Sequence, residues 1–327
     1  MTTDPELTDE QAAIYDRQIR VWGADVQKRL TSAKVLLMGC TPLAAEVAKN
    51  FVLAGVGQLT VVDDSSAASA ALTFLTDTAL ANKGSSVATM YASGLQELNP
   101  MVAVHAAPGA ASELPAVELL KDKQLVLAFG LHAGQQNRLN GLCREHKVQF
   151  IAARSRGGCA VAFLDLLEHQ LKMPERSDGA KGDDFKVLQY QTISEAAQAP
   201  WTRLSAHDSR RLNPLLPAWA VISALEIQHN RAATSGDFEV LEEEGLQRQV
   251  KASCKHKLWD SAALKGLLAT SGNVPAVDAI VGGFLGNDVV RALSHAGVPT
   301  HNVLCFSVAD NVAQMHNLTG LPTVRAG

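Results

Sequence analysis

The fold is decided by residues 33–64, which read AKVLLMGCTPLAAEVAKNFVLAGVGQLTVVDD. The apolar run 33–39 predicts a strand, 45–55 predicts a helix, and 58–64 predicts a second strand that ends in two acids. A strand, a tight turn, a helix and a strand within roughly 30 residues make a βαβ unit. The two strands of such a unit lie parallel in one sheet.

The turn of this unit departs from the pattern G-x-G-x-x-G, which lets a main chain approach phosphates. Gly39 holds the first position and Ala44 is a tolerated residue at the third. Thr41 stands at the second, with a branched Cβ where phosphate oxygens would come in, and Pro42 lacks an N–H that could bind an anion. Together Thr41 and Pro42 make a good helix start. We therefore expect a retained fold with a disabled nucleotide pocket.

Asp63, at the end of the second strand, holds the position that binds a ribose in nucleotide-binding units of this kind. Acids at strand ends are also common where no ligand binds. We therefore interpret Asp63 as at most a vestige of a ribose site.

The composition excludes several classes of protein. The chain has 327 residues, 47% of them hydrophobic, and a net charge of −4, so nothing favours nucleic-acid binding. No apolar run reaches the ~18 residues of a membrane span, and the N-terminus MTTDPELTDE is acidic, unlike a signal peptide. We expect a protein of the nucleus or cytoplasm with neither nucleic-acid nor membrane partners.

The five cysteines give no local support for a metal site, because none lies in a C-x-x-C pair. Cys254 has three lysines and a histidine within three residues, which could lower its pKa and make it a nucleophile. The alternative, a bystander thiol, is favoured because no base can be located. The acidic run 242–244 is interpreted as a solvated helix face.

Along the rest of the chain, apolar strands alternate with helices. This pattern predicts an α/β, Rossmann-like, mostly parallel sheet with helices on both faces. Residues 157–171 predict a strand that continues the sheet in the antiparallel sense. We divide the chain into a first part of the Rossmann-like domain (1–204), a mostly helical insert (205–270) and a return to the domain (271–327).

Four pieces of sequence carry a resemblance to a known family. They are YDRQIRVWG (15–23), KNFVLAGVGQLTVVDD (49–64), ELNPMV (97–102) and AIVGGFLGNDVVRALS (279–294). In this order they resemble the ubiquitin-activating and molybdopterin-synthase adenylyltransferase superfamily, and within it the small subunits of heterodimeric SUMO-activating enzymes. One piece alone is weak evidence, whereas the ordered set is specific.

The resemblance implies a pair of related adenylation domains, of which often only one holds ATP. Active members carry an intact glycine loop, an arginine and a glutamine after the second strand, and a lysine at the start of the next helix. Here residues 65–90 contain no arginine, and Val87 stands at the lysine position. The resemblance thus implies a pseudo-adenylation subunit that binds no cofactor. A large catalytic subunit would bind ATP and Mg, carry the thiolester cysteine and receive the SUMO-type modifier.

The resemblance also implies a role for Arg17, within the Tyr-Asp-Arg-Gln motif. In the family this arginine reaches across the dimer to the triphosphate bound by the partner. Such an arginine finger sets a fixed cation against phosphate charge. Arg20 is a weaker candidate for the same role. Alternatively, both arginines are solvated or paired with acids such as Asp16 and Asp25.

Gly282, Gly283 and Gly286 lie close together in a long apolar helix predicted over 274–294. A glycine inside a helix costs about 1 kcal/mol relative to alanine. Such glycines are usually kept where another backbone packs closely. We therefore expect this helix to pack closely against another helix or a subunit, at or beside a subunit interface.

Three alternatives remain open. A regulatory subunit for a Rub/NEDD-type modifier is disfavoured because that subunit usually has a much longer helical insert. A free-standing nucleotide-dependent oxidoreductase is disfavoured by Thr41 and Pro42 and by the lack of a catalytic constellation. A scaffold without any part in the chemistry would be favoured if replacement of Arg17 had no effect.

Overall fold

The main sheet has eight strands, and a separate pair of strands forms a small second sheet. The structure is a computed structural model that describes residues 6–172, 185–199, 210, 212–252, 256–269, 272–309 and 312–318. The strands are β1 (Lys34–Met38), β2 (Gln58–Val62), β3 (Ala103–Ala107), β4 (Leu125–Phe129), β5 (Gln149–Arg156), β6 (Cys159–Asp165), β7 (Glu168–Lys172), β8 (Phe185–Gln189), β9 (Val303–Ser307) and β10 (Val312–His316). Their order in the main sheet is β10-β9-β6-β5-β4-β1-β2-β3.

The two ends of the main sheet differ in strand direction. Strands β3, β2, β1, β4 and β5 are parallel neighbours in that order. Beyond β5 the strands β6, β9 and β10 each pair antiparallel with the strand before them. The βαβ unit over 33–64 is therefore confirmed. The antiparallel continuation predicted for 157–171 is confirmed for β6, whereas residues 168–171 belong to β7, which pairs with β8 in the second sheet.

Helices cover both faces of this sheet. They are α1 (Asp9–Ile14), α2 (Asp16–Trp22), α3 (Ala24–Ser32), α4 (Pro42–Leu53), α5 (Thr78–Asn82), α6 (Val87–Leu98), α7 (Val117–Leu120), α8 (Ala133–Glu145), α9 (Ile193–Ala197), α10 (Leu215–His229), α11 (Phe238–Lys251), α12 (Ser261–Leu268) and α13 (Pro275–Ser294). Helices α3, α4, α6 and α13 share one buried apolar cluster with the sheet. Helices α8, α10, α11 and α12 share a second cluster with its other face.

The helices of the proposed insert pack directly on the sheet. Helices α10, α11 and α12 contribute buried leucines to the second apolar cluster, together with residues of β4, β5 and β6. The points at which we divided the chain, 204/205 and 270/271, lie outside the described residues. The division into three segments therefore stays a prediction.

A few local expectations changed. Helices α5 and α6 are separate, because Gly84 between them adopts φ +74. Glu242 is not simply solvated, since its carboxylate accepts hydrogen bonds from Trp259 Nε1 at 3.1 Å and Ser261 Oγ at 2.5 Å. Cys254 lies outside the described residues. Among the helices that can be described, none is long and apolar enough to cross a membrane.

Candidate functional site

The turn between β1 and α4 is shaped by Gly39. Its backbone adopts φ +88, a left-handed conformation that favours glycine. A Cβ at this position would lie 2.0 Å from the carbonyl oxygen of Phe129 at the end of β4. Gly39 is therefore required by the close packing of β1 on β4, whether or not a ligand binds.

Thr41 caps α4 as the sequence predicted. Its Oγ1 accepts a hydrogen bond from Ala44 N at 3.2 Å, and Pro42 is the first residue of the helix. The carbonyl oxygen of Thr41 accepts a hydrogen bond from Tyr91 Oη at 2.8 Å. The methyl group of Thr41 lies against Gly130, where a Cβ would come within 2.8 Å of it. These contacts fix the loop in a closed arrangement.

Asp63 closes the same loop from the other side. Its Oδ2 accepts a hydrogen bond from Cys40 N at 2.8 Å, and its Oδ1 accepts one from Ser65 N at 3.1 Å. Burial and the nearby Asp63 carboxylate raise the pKa of the Cys40 thiol well above its usual value. The carboxylate expected at the ribose position is thus engaged with the chain itself.

These contacts test whether the loop fits a nucleotide. The N–H groups of Cys40 and Ala44 already have internal acceptors, and Pro42 has no N–H. A phosphate at the start of α4 would therefore find few free donors, although such donors are what makes a helix N-terminus an anion site. Val87, at the family's lysine position, is 2% exposed in the apolar core. The residues present do not fit ATP.

The N-terminal helices are held to the sheet domain by three residues of the 15–23 motif. Tyr15, at the break between α1 and α2, is 2% exposed and its Oη accepts a hydrogen bond from Asn99 Nδ2 at 3.0 Å. Gln18 Nε2 donates to the carbonyl of Leu53 at 3.1 Å, and Trp22 Nε1 donates to Gln27 Oε1 at 3.1 Å. The motif therefore works as an anchor that sets the position of α2.

Arg17 and Arg20 project from the anchored helix in different situations. Arg20 forms an ion pair with Asp16, with Nη2 and Oδ2 2.9 Å apart. Arg17 is exposed and makes no hydrogen bond or ion pair within the part of the chain that the structure describes. Of the alternative that both arginines are solvated or paired, Arg20 therefore follows the paired case and Arg17 the solvated one, and the role of Arg17 stays a prediction.

The three glycines of α13 do not act together. A Cβ at Gly282 would lie 2.5 Å from Glu46 Cβ, and a Cβ at Gly286 would lie 2.4 Å from Asn50 Cβ. Both glycines thus permit close packing of α13 on α4 within this chain, which confirms the close packing expected of this helix. Its place at or beside a subunit interface stays a prediction. Gly283 has open space around its Cβ position and remains a candidate interface residue.

One buried ion pair near these loops was not foreseen. Arg154 Nη1 lies 2.7 Å and 3.0 Å from the two carboxylate oxygens of Glu226, which is 0% exposed. Glu226 also accepts hydrogen bonds from Ala133 N at 2.7 Å and Ala233 N at 2.9 Å. A single acid within the apolar run LLPAWAVISALEIQH was the available signal, because a buried carboxylate needs a charged partner.

Comparison with known proteins settles the family. The sequence model of the ThiF family matches residues 15–321. This chain belongs to the ThiF family. The predicted resemblance is therefore confirmed at the level of the family, and the Rossmann-like fold is the one expected.

Relatives similar over nearly the whole chain carry a shared name. The Arabidopsis thaliana protein SUMO-activating enzyme subunit 1A is 30% identical over 324 residues, covering 96% of this chain and 97% of that protein. SUMO-activating enzyme subunit 1 of Dictyostelium discoideum is 27% identical over 311 residues, covering 90% of each chain. A crystal structure of E. coli MccB with succinimide matches with a TM-score of 0.55 at 11% identity, covering 93% of this chain and 71% of that one. This last similarity concerns the fold alone.

Proposed function

We propose that this chain is the small, non-nucleotide-binding subunit of a heterodimeric activating enzyme for a SUMO-type modifier. Full-length similarity to proteins named SUMO-activating enzyme subunit 1 supports this function. The observation that carries it in the structure is the closed loop over residues 39–44. A family member whose own loop is closed depends on another subunit for the nucleotide.

In this proposal the larger subunit binds ATP and Mg and adenylates the C-terminus of the modifier. The modifier then passes to a cysteine of that larger subunit. The present chain contributes no step at its own loop, because the donors there are engaged internally. Its contribution to the chemistry comes from outside the loop.

Arg17 supplies that contribution as a finger in trans. It is exposed on a helix whose position is fixed by Tyr15, Gln18 and Trp22, and no described residue neutralises it. A guanidinium ~4 Å from a phosphate charge stabilises it by roughly 4 kcal/mol at an effective dielectric constant near 20. If the same arginine lay on a mobile segment, the conformational entropy lost when that segment became ordered would offset part of this stabilisation.

Exposed apolar side chains on α2, α4 and α13 suit a protein partner. Val21 on α2 is 81% exposed, and Leu53 at the end of α4 is 45% exposed. On α13, which packs on α4, Ile280 is 44% and Phe284 38% exposed, on either side of Gly283. Exposed apolar side chains on adjoining elements are a feature of interaction surfaces. We assign this layer of helices to the contact with the larger subunit.

Reconstitution with candidate large subunits tests the function. The chain, a SUMO-activating large subunit, ATP, Mg and a SUMO-type modifier are mixed, and the thiolester on the large subunit is followed on non-reducing gels. We expect thiolester formation only when this chain is present. A Rub/NEDD-type modifier with its own large subunit is the matched control. Activity with the Rub/NEDD pair alone would contradict the proposal.

A further inference from the structure

A cavity of about 780 Å³ opens at the carboxyl ends of β1, β4 and β5. Pro42 at the start of α4, Arg156 at the end of β5 and Pro275 at the start of α13 form parts of its wall. Pockets that hold small molecules commonly have volumes of about 300–1,000 Å³. The closed loop over residues 39–44 thus borders a cavity large enough for another ligand.

Two of the charged residues in the wall already have partners. Arg154 is neutralised by the buried carboxylate of Glu226, as described above. Glu46 forms an ion pair with Lys49 one turn along α4. Both of these lining charges are therefore compensated within the chain.

Arg156 is different, because its guanidinium has no ion-paired counter-charge among the described residues. The acid that attracts it, Glu226, is already paired with Arg154. Arg156 is half-buried and makes no hydrogen bond or ion pair with any residue in the described ranges. Burial and the neighbouring Arg154, two residues away on the same strand face, lower the pKa of this guanidinium. A partly desolvated cation without an anion is unfavourable, so an anionic ligand here would relieve a cost already present.

Other polar side chains of the wall are hydrogen-bonded to one another. Ser155 Oγ donates to Asp278 Oδ1 at 2.6 Å and accepts from Asn273 Nδ2 at 3.1 Å. Asp278 is 1% exposed, burial raises the pKa of its carboxyl group, and it makes no ion pair with Arg156 within the described ranges. Asp278 is therefore a poor counter-ion for Arg156.

The outer wall of the cavity is apolar. Leu72 is 85% exposed and Phe74 is 48% exposed, and both border the cavity beside Ala71. Large apolar side chains this exposed lose unfavourable contact with water when a ligand covers them. The cavity thus combines one unpaired cation with an apolar rim.

We propose that this cavity binds a ligand that carries a single carboxylate on an apolar body, with the carboxylate paired to Arg156 and the apolar part on Leu72 and Phe74. An arginine fork matches the two oxygens of a carboxylate.

A phosphate is disfavoured, because the other cations beside the cavity are already paired. Arg154 pairs with Glu226. Lys49, whose Nζ lies 5.0 Å from the centroid of the Phe74 ring, pairs with Glu46. The backbone donors at Cys40 and Ala44 are also engaged. The ligand is a small organic acid or the C-terminal carboxylate of a short apolar peptide.

Methyl NMR on the full chain tests this inference. The probes are phenylbutyrate, acetyl-Ala-Leu-Phe with a free C-terminus, the same peptide with a C-terminal amide, and inorganic phosphate. We expect saturable shifts of the Leu72 methyl groups with phenylbutyrate or the free-acid peptide below about 5 mM. Leu114, an exposed leucine in a different cavity, is the internal control and should not shift.

Arg156→Gln should weaken this binding at least ~10-fold, because a hydrogen-bonded charge is lost. Arg138→Gln removes the same charge from an exposed position on α8 that does not line the cavity, and should leave binding unchanged. Response to only one of the two acids identifies the source of the carboxylate and supports the inference. It is overturned by equal shifts from acid and amide peptides, by tighter binding of phosphate, by no shift at Leu72, or by an unaffected Arg156→Gln variant.

Discussion

For single residues, Gly39 and Gly84 show two different reasons why a position requires glycine: a positive φ alone, or a positive φ together with close packing. Both adopt positive φ, +88 and +74, but a Cβ at Gly84 would meet nothing within 4 Å. We predict that Gly84→Ala lowers the free energy of unfolding by about 1–2 kcal/mol, the cost of the left-handed conformation alone. Gly39→Ala should cost more than about 3 kcal/mol, because it also forces a Cβ against the carbonyl oxygen of Phe129.

Urea unfolding of the two variants measures this difference. Equal losses in both would show that β1 and β4 can separate to accommodate a side chain. The turn would then be less tightly specified than the structure indicates.

The residues of the loop show how far the sequence could predict the site. Thr41 and Pro42 could be assigned to a helix cap because capping depends on residues that are neighbours in sequence. The bond from Cys40 N to Asp63 could not, because it joins positions 23 residues apart across two strands. For the same reason Arg154 and Glu226, 72 residues apart, were not foreseen as a pair.

At the scale of elements, the apolar runs predicted the order of strands and helices because each run reflects burial on one layer. They did not predict which other element each helix packs against. The glycines of α13 are an example, since the sequence indicated close packing but not that α4 of the same chain provides it at Gly282 and Gly286.

In helix α13 we therefore expect replacements of Gly286 and Gly283 to have different effects, one on stability and the other on complex formation. Gly286→Leu should destabilise the chain by at least about 1–3 kcal/mol, because it overpacks the contact with Asn50. Gly283→Leu should keep the unfolding free energy within about 1 kcal/mol of the parent, yet abolish co-purification with the large subunit. If the Gly283→Leu variant formed the complex normally, α13 would contribute only to the core of this chain and not to the subunit interface.

A buried histidine in the antiparallel pair β7–β8 is expected to make the free energy of unfolding depend on pH. His169 on β7 is 0% exposed, stacks on His295 at 4.8 Å between ring centroids, and burial lowers its pKa to about 4. In the unfolded chain the histidine pKa is near 6.5, so between about pH 6.5 and 4 His169 binds a proton when the chain unfolds and is neutral when it is folded. Stability from this group is therefore full above about pH 6.5 and is lost as the pH falls toward 4, at up to about 1.4 kcal/mol per pH unit.

His169→Phe keeps an aromatic ring and removes the titration. We expect unfolding free energies between about pH 6.5 and 4.5 to fall less steeply in this variant than in the parent. His146→Phe changes an exposed histidine and should keep the parent slope. An unchanged slope in His169→Phe would mean that the buried ring is protonated in the folded chain.

At the scale of the whole molecule, the Rossmann-like fold persists around a loop that no longer fits a nucleotide. We predict that calorimetric titration of the isolated chain with ATP and Mg gives no measurable heat of binding. The matching titration of the reconstituted heterodimer should give one site. A micromolar dissociation constant for the isolated chain would show that the loop opens, which would remove the main support for the pseudo-adenylation role.

We propose that this chain completes the partner's adenylation site with Arg17, and ATP–pyrophosphate exchange by the reconstituted heterodimer tests this role. Arg17→Ala should leave the heterodimer intact and slow exchange at least ~100-fold at saturating modifier, the effect of losing a preorganised group that stabilises developing charge. Arg17→Lys should rescue little, because an ammonium does not reproduce the planar guanidinium fork.

Arg20→Ala is the control on the same helix, since Arg20 is already paired with Asp16, and it should cost less than about tenfold. The predicted result is a large loss confined to the Arg17 variants, with the heterodimer still formed in each. Exchange by the Arg17→Ala heterodimer at the parent rate would contradict the proposed role of Arg17 and would indicate that this chain acts only as a scaffold.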